Sequence, residues 1–159
     1  MSQDIILDIT TSSPEETEGI GANLAKMLIS DAEMPPYIAM YGDLGVGKTA
    51  FVRGVASVIA PGCAVRSPTF AIVNEYRAKD AKAPLYHFDM YRITSEDDLY
   101  SCGYDDYLDV GYCIVEWSEN ISYALPDDHL AVTIEKITDN EMLRRIRIYR
   151  VKNYGGCVC

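Results

Sequence analysis

Residues 42–49 hold the most specific chemical pattern in the chain. They read Gly-Asp-Leu-Gly-Val-Gly-Lys-Thr, which is the G-x-x-x-x-G-K-T spacing of a phosphate-binding loop. The inner glycines permit backbone conformations closed to other residues, so that successive N–H groups can surround an anion. The lysine supplies a positive charge to the outer phosphates, and the threonine hydroxyl is a ligand for Mg²⁺. We therefore predict that a nucleoside triphosphate is bound by consecutive residues, namely Leu44, Gly45, Val46, Gly47, Lys48, Thr49 and Ala50.

The sequence on either side of this loop supplies the structural context that the motif needs. Residues 37–41 are an apolar run of strand length, and apolar residues recur at helical spacing from residue 51 until Pro61 and Gly62 end the helix. A strand, a glycine loop and a helix in this order form the setting of such a loop. A glycine-rich turn without a ligand is the alternative, which this context disfavours.

The composition is that of one compact acidic domain. The chain has 159 residues, of which 48% are hydrophobic, and we predict a single domain over residues 1–152 with a flexible tail at 153–159. The formal net charge of −10 makes the chain a poor binder of nucleic acid by itself, because phosphate contacts require clustered lysine and arginine. If RNA is involved in its function, we expect a partner protein to hold the RNA.

Several features favour a cytoplasmic protein that does not enter a membrane. No apolar run approaches the roughly 20 residues that cross a bilayer, and the acidic start of the sequence argues against a secretory leader. The five cysteines are odd in number and irregularly spaced, as in a reducing compartment. Cys157 and Cys159 would allow prenylation, but a tail without function is the favoured interpretation because GTPase signatures are missing.

Strands and helices alternate along the chain, which predicts a three-layer α/β fold. A strand at residues 5–9 precedes a helix with Ser13 as its N-cap and Pro14 in its first turn. Thr17 lies on that first turn, and the pattern alone favours a solvated surface residue. Residues 130–134 alternate and the chain returns at 143–151, which predicts an antiparallel C-terminal hairpin beside a parallel sheet core.

Two of the predicted strands end in a carboxylate. Residues 85–89 end in Asp89. Residues 112–117 read as a buried-type strand that ends in Glu116, with the tryptophan next to it. A carboxylate at the C-terminal end of a strand is where a Mg²⁺-coordinating acid lies in a phosphate-loop protein, which makes Glu116 the candidate. His87 alternates with its neighbours, and a packed histidine is favoured over a ligand.

Three further segments leave alternatives open. Ser67-Pro68-Thr69 is either a loop that contacts the γ-phosphate or Mg²⁺, as switch loops do, or a plain turn. The acidic stretch at 95–109 is a solvated face rather than a metal cluster, and its tyrosines at 100, 104 and 107 make a docking surface plausible. The arginines of the last strand either balance the acidic remainder or bring one side chain to the nucleotide.

Four motifs follow one another along the chain: the loop at 41–49, Ser-Pro-Thr-Phe at 67–70, His-Phe-Asp-Met-Tyr-Arg at 87–92 and Val-Glu-Trp at 115–117. Taken in this order they resemble the TsaE family, also known as YjeE, of bacterial ATPases in tRNA threonylcarbamoyladenosine biosynthesis. The resemblance runs from about residue 12 to residue 151 and leaves out the C-terminal tail. A Ser-x-x-x-Thr pattern ending at Thr17 also fits the first helix of the family, near the nucleotide base.

The resemblance implies a role for each matching residue. Lys48 and Thr49 would bind phosphate and Mg²⁺, and Glu116 would complete the metal shell. Asp89 would lie near the γ-phosphate and be needed for turnover, and Thr69 would belong to a switch-like loop. Trp117 would pack beside the site. The residues implied in catalysis are therefore Lys48, Thr69, Asp89 and Glu116, with Thr49 and Glu116 as metal ligands and Thr17 beside the nucleotide.

The resemblance also implies partners. TsaE proteins lack an arginine finger of their own, so slow hydrolysis is expected without assistance. They act with the TsaB–TsaD pair, which transfers the threonylcarbamoyl group to the adenosine beside the anticodon. ATP hydrolysis would reset that complex between turnovers, and tRNA would be reached only through the partners.

Three other classes of protein share a phosphate-binding loop. A small-molecule kinase is the main alternative, although the sequence has no lid insertion or basic substrate clamp. A GTPase would need an N-K-x-D motif, which is absent, so ATP is favoured as the nucleotide. A module that binds nucleotide without hydrolysing it would be separated by measuring phosphate release in the presence of the partner.

Overall fold

The computed structural model describes residues 1–68 and 71–153. Within them the strands are β1 (Ser2–Thr11), β2 (Tyr37–Tyr41), β3 (Val73–Tyr76), β4 (Leu85–Asp89), β5 (Tyr112–Glu116), β6 (Asp128–Ile137) and β7 (Asn140–Lys152). The helices of the same residues are α1 (Pro14–Ser30), α2 (Lys48–Ile59) and α3 (Glu96–Ser101), with short 3-10 helices at Tyr104–Tyr107 and Ser118–Ala124. None of these helices is long and apolar enough to cross a membrane.

All the described strands form one sheet in the order β1-β7-β6-β2-β5-β4-β3. The central strands β6, β2, β5 and β4 run parallel, whereas β6 and β7 form an antiparallel hairpin. The predicted parallel core and antiparallel C-terminal hairpin are therefore confirmed. Antiparallel strands occupy both edges of the sheet, because β3 pairs with β4 on the far side and β1 pairs with β7.

Helices α1 and α2 pack together on one face of the sheet, and a pair of glycines lets them approach closely. A side-chain carbon at Gly21 would overlap the backbone carbonyl of Phe51, and one at Gly54 would overlap the carbonyl of Glu18. Apolar residues of both helices bury β2 and β6 from this side. The close packing holds the start of α2, and hence the loop before it, against the end of α1 nearest the site.

The opposite face of the sheet is covered by α3 and the two 3-10 helices. Its core is aromatic: the rings of Phe88 and Tyr107 meet edge to face with centroids 5.3 Å apart. The hydroxyls of Tyr37 and Tyr104 share a buried hydrogen bond of 2.6 Å. Layers on both faces explain why the central strands are apolar along their length rather than alternating.

Local signals fix the ends of several elements. Ser13 Oγ accepts the Glu16 N–H at the start of α1, as predicted, and Ser95 Oγ accepts the Asp98 N–H at the start of α3. The strand predicted at residues 5–9 is observed as the longer β1, because β1 pairs along its length with β7. The predicted tail falls, apart from Asn153, outside the described residues.

Candidate functional site

The glycine loop joins the end of β2 to the start of α2. Gly45 and Gly47 have φ angles of 77° and 108°, in the left-handed region that other residues rarely adopt. Gly47 is also the N-cap of α2, and within the described residues no side chain caps this helix. The first backbone N–H groups of α2 are thus available to an anion, with the positive end of the helix dipole behind them.

Lys48 lies at the start of α2 with its side chain folded back over the loop. Only 6% of the residue is exposed, and its Nζ donates to the backbone carbonyls of Gly42 and Asp43. The same ammonium lies 4.1 Å from the centroid of the Trp117 ring, a cation–π contact. Trp117 has a φ of 58°, which is strained for a bulky residue and is stabilised only by its surroundings. The end of β5 therefore meets the phosphate loop through these two side chains.

Asp89 and Glu116 lie side by side at the carboxyl ends of β4 and β5. They are register partners in the parallel pair, and the Met90 N–H donates to the Glu116 carbonyl. Glu116 is 3% exposed, while Asp89 is half-buried and accepts the Tyr91 N–H through Oδ1. Burial raises the pKa of Asp89 above its ordinary value; the Tyr91 N–H opposes this, and the Glu116 charge adds to it. Two acidic groups are thus held close together at a cost to the free protein.

Glu116 is hydrogen-bonded to a buried histidine. His87 Nε2 lies 2.9 Å from Glu116 Oε2, and His87 Nδ1 lies 3.0 Å from the Tyr76 hydroxyl. His87 is fully buried, so the prediction of a packed histidine is correct. The packing includes contact with a candidate metal ligand, which the sequence interpretation did not anticipate.

The loop after α2 reaches the phosphate loop through a hydroxyl pair. Thr49 Oγ1 and Ser67 Oγ lie 3.4 Å apart, at the limit of a hydrogen bond. Thr69 lies outside the described residues, so its predicted role in a switch-like loop stays a prediction. The contact shows only that the described end of this segment borders a candidate metal ligand.

Thr17 is buried rather than solvated, so the interpretation as a surface residue is wrong. Only 2% of Thr17 is exposed, and its hydroxyl lies 2.8 Å from that of Thr11 at the end of β1. The first turn of α1 faces the glycine loop and is covered by β1, which the helical pattern alone does not reveal. Thr17 lines a cavity of about 190 Å³ whose other walls are Ser13, Pro14, Gly45, Val46, Gly47, Glu141, Met142 and Arg144.

Among the arginines of the last strand, Arg144 contacts the phosphate loop. Its Nε donates to the Val46 carbonyl at 2.9 Å. The sequence had left open whether one of these arginines reaches the nucleotide or all balance acidic residues. The structure brings Arg144 to the loop and pairs Arg145, Arg147 and Arg150 with carboxylates of β1 and β6.

The acidic stretch at 95–109 is a largely solvated face, as the favoured interpretation held. Within the described residues no group of three or more acidic, histidine or cysteine side chains could hold a metal ion. Tyr100 is exposed, but Tyr104 is buried and Tyr107 is half-buried. A docking surface made of all three tyrosines is therefore wrong, because two of them belong to the aromatic core.

Comparisons with known proteins show the family to which this chain belongs. The family model described as "Threonylcarbamoyl adenosine biosynthesis protein TsaE" matches residues 11–146. The chain belongs to the TsaE family. The TsaE protein of Bacillus subtilis, called a tRNA threonylcarbamoyladenosine biosynthesis protein, is 38% identical over 150 residues, which are 94% of this chain and 89% of that protein. TsaE from Haemophilus influenzae is 34% identical over 137 residues, covering 85% of this chain and 84% of the relative.

A solved structure supports the TsaE fold as well. The crystal structure of Bacillus subtilis YdiB matches with a TM-score of 0.66 at 33% identity, and the match covers 96% of this chain and 88% of that one. The predicted three-layer P-loop fold and the resemblance to TsaE are thereby confirmed.

Sequence reasoning missed Tyr76 and did not single out Arg144 among the arginines of the last strand. Neither residue carries a motif of its own: Tyr76 reaches the site through the β3–β4 hairpin and the pairing of β4 with β5, and Arg144 contacts Val46, 98 positions away. One signal in the sequence pointed toward Tyr76: His87 lies inside an apolar strand, and a buried histidine must find polar partners.

Proposed function

We propose that this protein binds ATP with Mg²⁺ and hydrolyses it in support of tRNA threonylcarbamoyladenosine formation, together with a TsaB–TsaD pair. The names of its relatives support the pathway, and the phosphate loop supports the nucleotide. One observation carries the proposal: the Lys48 ammonium is buried over a loop whose glycines have left-handed φ angles, beside the strand-end carboxylates of Asp89 and Glu116. Among residues 1–68 and 71–153, the contacts of the Lys48 ammonium are backbone carbonyl groups and the Trp117 ring rather than a carboxylate, which leaves its charge for an anionic ligand.

The residues present fit a Mg²⁺-nucleotide. Mg²⁺ prefers oxygen ligands and in nucleotide sites is usually held by one or two protein groups together with phosphates and water. The Thr49 hydroxyl and the Glu116 carboxylate are such groups, at the start of α2 and at the end of β5. When bound, the ion would neutralise charge on the phosphates. The N–H groups of the loop and Lys48 would bind and orient those phosphates.

Asp89 is the group of this chain best suited to assist turnover. It is half-buried beside Glu116, and its raised pKa shows that its charge is poorly solvated. A carboxylate in such surroundings can accept a proton from an attacking water, or orient that water, more readily than one in bulk solvent. Thr69, by its resemblance to the family, would act from the neighbouring loop.

The partners are proposed to contact the protein rather than to hand it tRNA. A net charge of −10 opposes binding of a polyanion, since phosphate neutralisation supplies most non-specific affinity. We therefore expect no appreciable tRNA binding by the isolated chain at physiological salt. The cytoplasm, where tRNA is modified, is the proposed location.

The experiment that tests the proposal measures phosphate release from ATP and from GTP, each with and without TsaB–TsaD and with Mg²⁺ or chelator. We expect slow Mg²⁺-dependent release from ATP that rises with the partners, little release from GTP, and no retention of labelled tRNA by the chain alone. Transfer of the phosphate to a metabolite instead of water would favour the small-molecule kinase. Nucleotide binding without release under any condition would contradict hydrolysis.

A further inference from the structure

A chain of hydrogen-bonding groups leads from the backbone of Arg66 to the Glu116 carboxylate. The Arg66 N–H donates to the Tyr76 hydroxyl oxygen at 3.2 Å. The Tyr76 hydroxyl lies 3.0 Å from His87 Nδ1, and His87 Nε2 lies 2.9 Å from Glu116 Oε2. The three side chains are buried, with exposed fractions of 6%, 0% and 3%.

The hydrogen bonds of this series can all be donated in one direction, from the Arg66 N–H toward Tyr76 and on to Glu116. An ionised carboxylate only accepts, so the hydrogen on His87 lies on Nε2. In the neutral ring Nδ1 then accepts the Tyr76 hydroxyl, whose oxygen accepts the Arg66 N–H. The Tyr76 hydroxyl also lies 2.9 Å from the Arg66 carbonyl, which is a second acceptor for its single hydrogen. When that hydrogen is donated to His87 Nδ1, the Arg66 carbonyl still has a donor, because the Asn74 side-chain amide donates to it at 2.9 Å. Aligned hydrogen bonds in a buried site polarise and strengthen one another.

We propose that Tyr76 and His87 are positioning residues for Glu116, and that they tie this candidate metal ligand to the loop segment at Arg66 and Ser67. This inference rests on the proposed function, because it assigns Glu116 to Mg²⁺. His87 occupies Oε2 of the carboxylate, which leaves Oε1 for the metal. Ser67 in turn contacts Thr49, the second candidate ligand. Both ligands are thus joined to one short stretch of backbone.

The physical reason for such a device lies in the flexibility of the glutamate side chain. A carboxylate at the end of a strand can rotate, and a partner that fixes its orientation lowers the cost of ordering it when the metal binds. Loss of an outer-shell partner of a metal ligand typically lowers metal affinity about 10- to 100-fold. If Tyr76 and His87 had a purely structural role, removing their hydrogen-bonding groups would lower stability and leave metal affinity unchanged.

The first test compares Tyr76→Phe with Tyr104→Phe. Each change removes one buried hydroxyl, but the Tyr104 hydroxyl bonds to Tyr37 in the aromatic core on the other face of the sheet. The affinity of the nucleotide complex for Mn²⁺ is measured by electron paramagnetic resonance, and nucleotide affinity is measured in chelator. We expect Tyr76→Phe to weaken Mn²⁺ binding several-fold without changing metal-free nucleotide affinity. The control variant should keep wild-type Mn²⁺ affinity despite its lost hydrogen bond.

The second test separates the two nitrogens of His87. In His87→Gln the amide nitrogen can take the place of Nε2 and still donate to Glu116, whereas the shorter side chain of His87→Asn stands near Nδ1 and cannot reach. We expect Mn²⁺ affinity to fall about tenfold in His87→Asn and to stay closer to wild type in His87→Gln. Equal losses in both variants, or no loss in either, would overturn the assignment.

A spectroscopic measurement on the protein without nucleotide keeps the inference separate from the proposed function. A hydrogen-bonded and buried His87 Nε2–H should give a slowly exchanging, downfield proton resonance, identified by its disappearance in His87→Gln. We expect Tyr76→Phe to shift it or speed its exchange, and Tyr104→Phe to leave it unchanged. If the wild-type protein bound no metal–nucleotide complex, the proposed function would be contradicted. The resonance would still test whether Tyr76 and His87 are joined by a hydrogen bond. A resonance insensitive to Tyr76→Phe would overturn the inference.

Discussion

Charged groups are arranged in opposite ways at the two sides of this sheet. At the carboxyl ends of β4 and β5, Asp89 and Glu116 are brought together in a poorly solvated place, and burial raises the pKa of Asp89. Across β1, β7 and β6, arginines meet carboxylates near the surface, and hydrogen bonds from Arg145 and Arg150 lower the pKa values of Asp8 and Asp128.

The difference teaches where this protein holds charge at a cost and where it does not. The surface pairs are mutually satisfied, and each could become neutral with little consequence for function. At the strand ends burial raises the pKa of Asp89 and the Glu116 charge adds to it, and a bound cation would offset this repulsion. Substitutions at Asp89, Glu116, Asp8 and Arg150 test this contrast, with expected effects that decrease in that order.

Turnover should respond most strongly to Asp89→Asn. The amide can still accept the Tyr91 N–H through its oxygen, so the local fold is kept while the charge is lost. We expect ATP hydrolysis in the presence of TsaB–TsaD to fall about 100-fold with little change in ATP affinity, as for a group that matters in the transition state. Single-turnover kinetics together with nucleotide titration measure both quantities. Hydrolysis within twofold of wild type would remove Asp89 from the mechanism.

Glu116→Gln should act on metal rather than on turnover alone. The glutamine oxygen can still accept His87 Nε2–H, so the buried network survives, but the charge offered to Mg²⁺ is gone. We expect Mg²⁺-dependent ATP affinity to fall by about 2 kcal/mol, or roughly 30-fold, while affinity in chelator stays unchanged. Titrations of ATP at several Mg²⁺ concentrations test this division of labour. Identical Mg²⁺ dependence in Glu116→Gln and Asp89→Asn would contradict it.

The two pKa shifts predict opposite effects of pH on stability. The raised pKa of Asp89 means that ionisation costs stability, a cost absent below its ordinary value of 3.8 and present as the pH rises well above it. Asp89→Asn should therefore be more stable than wild type near neutral pH, with the advantage vanishing in acid. The lowered pKa of Asp8 means that its ionised form contributes stability above 3.8, lost as the pH falls through the folded value.

Chemical denaturation of Asp89→Asn and Asp8→Asn over a range of pH checks these signs. Asp8→Asn should be less stable than wild type at neutral pH and should match it in acid. Two variants that shift stability in the same direction would show that the contrast between the two sides of the sheet is wrong.

The smallest effect is expected at Arg150, which pairs with Asp128 through two hydrogen bonds of 2.9 and 2.7 Å. Because the pair is partly solvated, Arg150→Ala should cost about 1 kcal/mol or less of unfolding free energy. Nucleotide affinity should not change, since Asp128 begins β6 and the pair therefore lies at the end of the strands opposite the site. A loss of ATP affinity in this variant would mean that this end of the sheet is coupled to the site.

Much of this fold was predictable because its signals are local. The glycine loop, the caps at Ser13 and Ser95 and the apolar central strands each follow from spacing within a few residues. Strand pairing is not local. The first turn of α1, where Thr17 lies, shares a cavity with the glycine loop that follows it after another strand, and the contact of Arg144 with Val46 joins residues 98 positions apart. No sequence period encodes such contacts, and so the loop motif was found while Tyr76 was missed and Arg144 was not singled out.

The most direct test of the account is a calorimetric titration of ATP with Mg²⁺ into Lys48→Ala and into Lys26→Ala. Both variants lose one positive charge, but Lys26 is exposed on α1 and Lys48 is buried over the loop. We predict that Lys48→Ala loses about 2–3 kcal/mol of ATP binding energy, or roughly 30- to 150-fold in affinity, because it removes a charge-assisted phosphate contact. Lys26→Ala should bind as wild type does. Equal ATP affinities in the two folded variants would contradict the assignment of this loop as a phosphate site.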